Sequence, residues 1–146
     1  MLTEFAKVFD RHIDQIKNEI ELFHLEENLW KTTGSIKNSA GNLCLHLAGN
    51  LNTYIGRNLG GYDYIRDRNA EFNLKYVPRQ EMIIQTGLVK EKVNATLSQM
   101  KEEMLGERYV EDVLGFPMTN GFFLVHLTGH LSYHLGQINY IRRFLE

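Results

Sequence analysis

The chain has one cysteine, Cys44, among 146 residues. No intrachain disulfide can form, which excludes a small disulfide-stapled secreted scaffold. No run of 18 apolar residues occurs, so a membrane span is not expected. Basic residues are not in surplus: 16 Lys and Arg against 18 Asp and Glu leave a net charge of −2. A protein built to grip phosphate backbones is strongly basic, so nucleic acid is not an expected partner. The opening stretch MLTEFAKVFDRHIDQ scatters charges and lacks the apolar core of a secretory signal. Only two prolines occur, Pro78 and Pro117, and both lie between periodic segments. What is present is an ordinary globular balance, 43% hydrophobic and 23% charged. The expectation is one domain spanning 1–146 in a reducing compartment, most simply the cytoplasm.

Hydrophobic periodicity divides the chain into four long segments. Phe9, Ile13, Ile16, Ile20 and Phe23 recur at spacings of 4, 3, 4 and 3, the seam of an amphipathic helix over about Leu2–Phe23. A second helix is expected from near Ser39 to the Gly60-Gly61 pair, with Leu43, Leu47, Leu51 and Ile55 as its stripe. A third runs from about Pro78 to Met104, with Val89, Val93, Leu97, Met100 and Met104 on one face. A fourth runs from about Thr119 to Leu145 on Leu124, Leu127, Leu131, Ile138 and Leu145. No confident strand is read, although 105–118 has room for a short extended piece. The 61–77 connection is long for a compact domain, and such loops are functional covers or carry a short helix. The fold class expected is all-α, a four-helix bundle.

Three of the six histidines, His126, His130 and His134, fall at i, i+4 and i+8 in the fourth segment. At about 100° per residue they share one side of that helix. On the helical wheel they oppose the arc of Thr128, Ser132, Gly136, Asn139 and Arg143, which reads as the solvent side, so the imidazoles are expected to face inward. Each buried ring has a donor and an acceptor to satisfy. A metal ion takes one lone pair from each, and two histidines one turn apart can meet it at about 2.0–2.1 Å. The ends of the triplet are about 12 Å apart, so one adjacent pair plus a ligand from another helix is expected. His46, mid-helix in the second segment, is the best candidate for that third ligand. Three neutral imidazoles leave coordination positions open, the pattern of a catalytic centre. The alternative is a set of hydrogen-bonded core histidines.

At these residues the sequence resembles the DinB-like superfamily of four-helix metal-binding proteins, the YfiT-like fold. His130-Leu-Ser-Tyr-His134-Leu-Gly136-Gln137-Ile138 is similar to the family's H-x-x-x-H-x-G-Q-I signature. Asn38-Ser39 through Leu43, His46, Gly49 and Asn50 resembles its second helix, and Leu29-Trp30 with Ser35-Ile36 the approach to it. Arg66-Asp67-Arg68-Asn69-Ala70-Glu71-Phe72 resembles a loop motif of one uncharacterised branch. The resemblance implies a divalent metal, zinc or nickel, held by His46, His130 and His134. It also implies frequent homodimers. Better-known relatives are transferases that use low-molecular-weight thiols such as bacillithiol or mycothiol, and maleylpyruvate isomerases. A metal-dependent thiol transferase is therefore the first functional expectation. A metal-dependent hydrolase and a non-catalytic dimerising module are the alternatives.

Around the candidate ligands, Gln137 and Asn50 each lie one turn from a histidine. Either can hold a ring's second nitrogen, orient a water or bond between helices. Tyr54 and Tyr133 are candidate hydrogen-bond donors at the cavity, or amphipathic packing. His126 reads as a supporting group, an alternative ligand or a packed ring. His12 and His24 read as structural, the latter at a helix end. Gly49 and Gly136 suggest close helix contacts. Arg66, Asp67, Arg68 and Glu71 read first as a solvated charged loop, and second as a cover or an arginine pair for an anionic substrate. Cys44, on the leucine side of its helix, reads as buried and apolar, and Trp30 as packed at the bundle end.

Overall fold

The computed structural model describes all residues, Met1–Glu146. It is all-helical, with four long helices and one short one. The long helices are α1 (Leu2–Leu22), α2 (Ala40–Leu51), α4 (Arg79–Gln99) and α5 (Asn120–Leu145), and α3 is Arg68–Asn73. Short 3-10 turns occupy Glu26–Trp30 and Glu102–Gly106. No helix is long and apolar enough to cross a membrane.

The seam of α1 is buried as its spacing requires: Phe9, Ile13, Ile16 and Ile20 lie in the core against α4 and α5. Phe23 is also buried but lies just past the helix end. There Arg79 donates to the carbonyls of Glu21 (3.3 Å) and Phe23 (2.7 Å), covering the open end of α1.

α2 starts where expected, with the Ser39 hydroxyl accepting from the Asn42 amide at 3.2 Å. Every residue from Ala40 to Leu47 is buried, which makes α2 the interior helix that α1, α3, α4 and α5 surround. It continues into a π-helical turn, Asn52–Arg57. The buried Tyr109 hydroxyl donates to the Tyr54 carbonyl in that turn at 2.7 Å, so the altered ladder leaves no orphan there.

Two expectations are corrected by the fold. The third segment stops at Gln99, not Met104: Met100 is extended (φ −71°, ψ 150°), and Met104 sits in a separate 3-10 turn. The apolar spacing persists there because both methionines still pack on the core. Gly136 was read as a close contact, yet a Cβ there would meet nothing. Gly49 does mark one, since its Cβ would fall 1.8 Å from a Glu71 carboxylate oxygen.

The extended piece within 105–118 is a single bridge, Arg108 to Thr119. The 61–77 connection carries α3, capped by Asp67 accepting from Ala70 N at 3.0 Å. Asn42 pins it to α2, donating to the carbonyls of Glu71 (2.9 Å) and Leu74 (2.8 Å). Trp30 packs over Gly41, where a Cβ would lie 2.8 Å from its ring.

Candidate metal centre

His46 projects from α2, and His130 and His134 project from α5. One ligand nitrogen from each lies within 4.8 Å of the others. His46 Nε2 and His130 Nε2 are 3.2 Å apart. The three rings meet edge to face, with centroids 4.6–5.1 Å apart. Three nitrogens each about 2.0–2.1 Å from one ion would lie roughly 3–4 Å from one another, so the cluster is at the scale of a shared cation.

Two of the rings are held in a defined tautomer. The Glu71 carboxylate can only accept, so it takes the Nδ1–H of His46 (3.1 Å) and leaves Nε2 with its lone pair. The Gln137 carbonyl does the same for His134 Nδ1 at 2.7 Å. His130 Nδ1 is buried with no partner. The Nε2 lone pairs of His46 and His134 thus come from two helices toward one point, with His130 Nε2 3.2 Å from His46 Nε2; a hydrogen bond between those two rings or one shared cation satisfies them.

Burial keeps the two α5 rings, His130 and His134, neutral and ready to ligate. Burial pushes the His130 pKa down to about 3, with help from the neighbouring His134, His46 and His126 rings. Burial also lowers the His134 pKa, against the opposing hydrogen bond that its Nδ1–H donates to Gln137.

Glu71 is no residue of a solvated loop, the first expectation for the 66–71 charges: it and His46 are each only 6% exposed. Arg66 grips the carboxylate from the other side, Nε to Oε2 at 2.9 Å and Nη2 to Oε1 at 3.0 Å. Burial pushes the Glu71 pKa up, but the bonds from His46 and Arg66 and the guanidinium charge outweigh it and hold it below the ordinary value. Arg66 also reaches the Tyr54 hydroxyl (3.5 Å) and lies 3.4 Å from His46 Nδ1. It is thus occupied as a clamp and not free as half of an anion-binding pair. Arg68 is exposed, its guanidinium over the Phe72 ring at 5.3 Å. The available signal was Gly49, the gap in α2 into which the Glu71 carboxylate fits.

The remaining candidates divide. Gln137 Oε1 accepts from His134 Nδ1 on the same helix. Asn50 does not hold His46, because Glu71 has that nitrogen; its own Oδ1 is buried without a partner. His126 lies outside the cluster, its ring stacked between Phe123 (5.6 Å) and His130 (6.3 Å). Tyr54 packs on Phe123 at 5.3 Å with its hydroxyl near Arg66. Tyr133 is exposed, with its ring 5.3 Å from that of His134. The histidines of α5 are half-buried, not fully inward. Of the arc expected on the solvent side, Ser132, Gly136 and Arg143 are exposed, whereas Asn139 is half-buried and donates to Glu19 of α1 at 2.7 Å, beside Arg142, which bonds the same carboxylate at 2.7 Å. Cys44 is buried beside Thr86, with no part in the cluster, and burial lifts its thiol pKa to about 11. His12 is half-buried, with Nδ1 unpartnered. His24 is exposed, its backbone N–H on the Glu146 carboxylate at 2.9 Å.

A family pattern spans residues 1–146 in full. The chain belongs to the DUF1572 family. That family is described as a protein of unknown function. No curated protein matches this DUF1572 chain. A solved structure, a conserved protein from Enterococcus faecalis, superposes with a TM-score of 0.74 at 17% identity, covering 98% of this chain and 95% of that one. At that identity the likeness speaks for the helical fold alone.

Proposed function

We infer that this DUF1572 chain is a DinB-like protein whose His46, His130 and His134 hold one divalent ion, zinc or nickel, and that it is a metal-dependent transferase acting with a low-molecular-weight thiol. The observation carrying the reading is the convergence of imidazole nitrogens from α2 and α5, with His46 Nε2 and His130 Nε2 3.2 Å apart and the outer nitrogens of His46 and His134 tied to Glu71 and Gln137. This donor set suits the ion: neutral nitrogens, rings held by their far side, and fewer protein ligands than a closed tetrahedral site uses. When bound, such an ion lowers the pKa of a coordinated thiol or water toward neutrality.

The chain's own residues do the rest. Glu71 and Gln137 fix the ring orientations, and Arg66 keeps the Glu71 carboxylate ionised and in place. Tyr133, exposed with its ring 5.3 Å from that of His134, would offer a hydroxyl to a substrate approaching from that side. The signature around His130–Gln137 supports the transferase reading over the hydrolase, because the relatives it resembles act on thiols.

Cobalt substitution tests this. The expected result is a visible spectrum in the wild-type protein that low-molecular-weight thiols perturb saturably and that His46→Ala lacks. A cobalt spectrum indifferent to thiols overturns the transferase reading while leaving the metal centre standing.

A further inference from the structure

The short helix α3 looks two ways. Asp67, Ala70, Glu71 and Leu74 recur at helical spacing and line a cavity beside α2 and α4, where Lys92 also lies. Arg68 and Phe72, one turn apart, take no part in that lining and share another face. Phe72 is half-buried with its ring against that of His46, centroids 4.8 Å apart and planes tilted by 35°. Arg68 lies over the Phe72 ring in turn, its Cζ 5.3 Å from the centroid. The guanidinium is therefore two ring contacts from a candidate metal ligand, and no farther from the His46 ring than those two distances combined. α3 carries it at a fixed place, because Asp67 caps the helix and Asn42 holds the carbonyls of Glu71 and Leu74.

The neighbouring charges are engaged and this one is not. Arg66 pairs with Glu71, and the Asp67 carboxylate accepts from the Ala70 amide. Arg68 is exposed and makes no ion pair and no hydrogen bond, so its fork of N–H donors is free beyond the Phe72 contact. We propose that Arg68 is the substrate-recognising cation of the metal centre, pairing with a carboxylate that the substrate carries several bonds from the atom meeting the ion. The inference rests on the metal centre above and not on the thiol. A carboxylate is favoured over a phosphate. One planar guanidinium matches one carboxylate in a two-bonded fork. The greater charge of a phosphate calls for further cations, and Arg66 is committed to Glu71.

Two anchors fix a substrate's direction as well as its place. The ion takes the reacting end, Arg68 takes the far end, and the Phe72 ring lies between the guanidinium and His46. Because Arg68 is exposed, the pair contributes a modest factor to affinity, and salt screens it.

Spectral titration of the cobalt-substituted full chain with metal-seeking probes tests it. The probes are the monohydroxamates of succinic, glutaric and adipic acid, each beside the analogue whose free carboxylate is a carboxamide. The expected result is that, at the best length, the acid binds the wild type at least about five-fold tighter than its amide, with a preference that shrinks as salt is added. Arg68→Met keeps a side chain that can rest on Phe72. It brings acid and amide level while leaving the cobalt spectrum and the affinity for the amide unchanged, and Arg68→Lys keeps part of the preference. A wild type that holds cobalt but shows no preference at any length overturns the proposal alone, and so does a preference that survives Arg68→Met. A wild type that takes up no cobalt overturns the metal centre and this proposal with it.

Discussion

Glu71 Oε1 lies 3.1 Å from Nδ1 of His46, and both side chains are buried. A carboxylate placed so deep is stable only because Arg66 neutralises it and Gly49 leaves room for it. It fixes the His46 tautomer, the condition for that ring to share a cation with α5.

Glu71→Gln keeps the shape but loses the charge. Loss of a partner that orients a ligating imidazole weakens metal binding by about 10–100-fold. Competition titration against a chromophoric chelator measures this, and wild-type affinity in the variant would remove Glu71 from the site.

Gly49 and Gly136 separate packing from propensity. Alanine at an exposed helix position such as 136 gains up to about 1 kcal/mol in the monomer. At 49 the new Cβ would fall 1.8 Å from Glu71 Oε2, so Gly49→Ala loses about 1–3 kcal/mol by overpacking and weakens metal binding as well. Urea unfolding of both variants checks the opposite signs.

Acid destabilises the metal-free protein. The unfolded chain protonates its histidine near the ordinary 6.5, whereas folded His130 resists protonation until about 3. Across that window the unfolded state binds more protons, so the contribution is whole above pH 6.5 and is lost as pH falls toward 3. Lowered Glu71 adds a loss of the same sign below its ordinary 4.5. The pH dependence of the urea midpoint between pH 6.5 and the carboxylate range should become shallower in His130→Gln, with the lowered His134 keeping the remaining slope. An unchanged slope there would mean His130 titrates normally.

Cys44 should be inert in the folded protein at neutral pH. It is buried and its thiol pKa is lifted to about 11, so almost no thiolate forms. An aromatic disulfide reagent should react only once denaturant is added, and fast reaction without denaturant would place Cys44 at the surface.

Much of this was readable from residue spacing, and the exceptions have physical causes. Thr119 caps α5 as expected, accepting from the Phe122 amide at 3.1 Å, and the i, i+4 step of His130 and His134 placed both rings on one side. The α4 boundary was overrun because Met100 and Met104 keep an apolar spacing after the backbone has left the helix. Glu71 was hidden because burial of a carboxylate depends on a glycine in another helix and an arginine five residues away, and no local pattern records that. The outward face of α5 is wider than its polar residues alone indicate: Ser132, Gly136 and Arg143 are exposed, and Tyr133, Tyr140 and Phe144 beside them face water too.

The central claim is that imidazoles from α2 and α5 share one cation. Metal analysis of protein purified without chelator or affinity tag tests it most directly, with His46→Ala and His126→Ala alongside. One zinc or nickel per chain in the wild type and in His126→Ala, and none in His46→Ala, is the result expected. Absence of metal from the wild type even after zinc or nickel is supplied, or full occupancy in His46→Ala, would contradict the account.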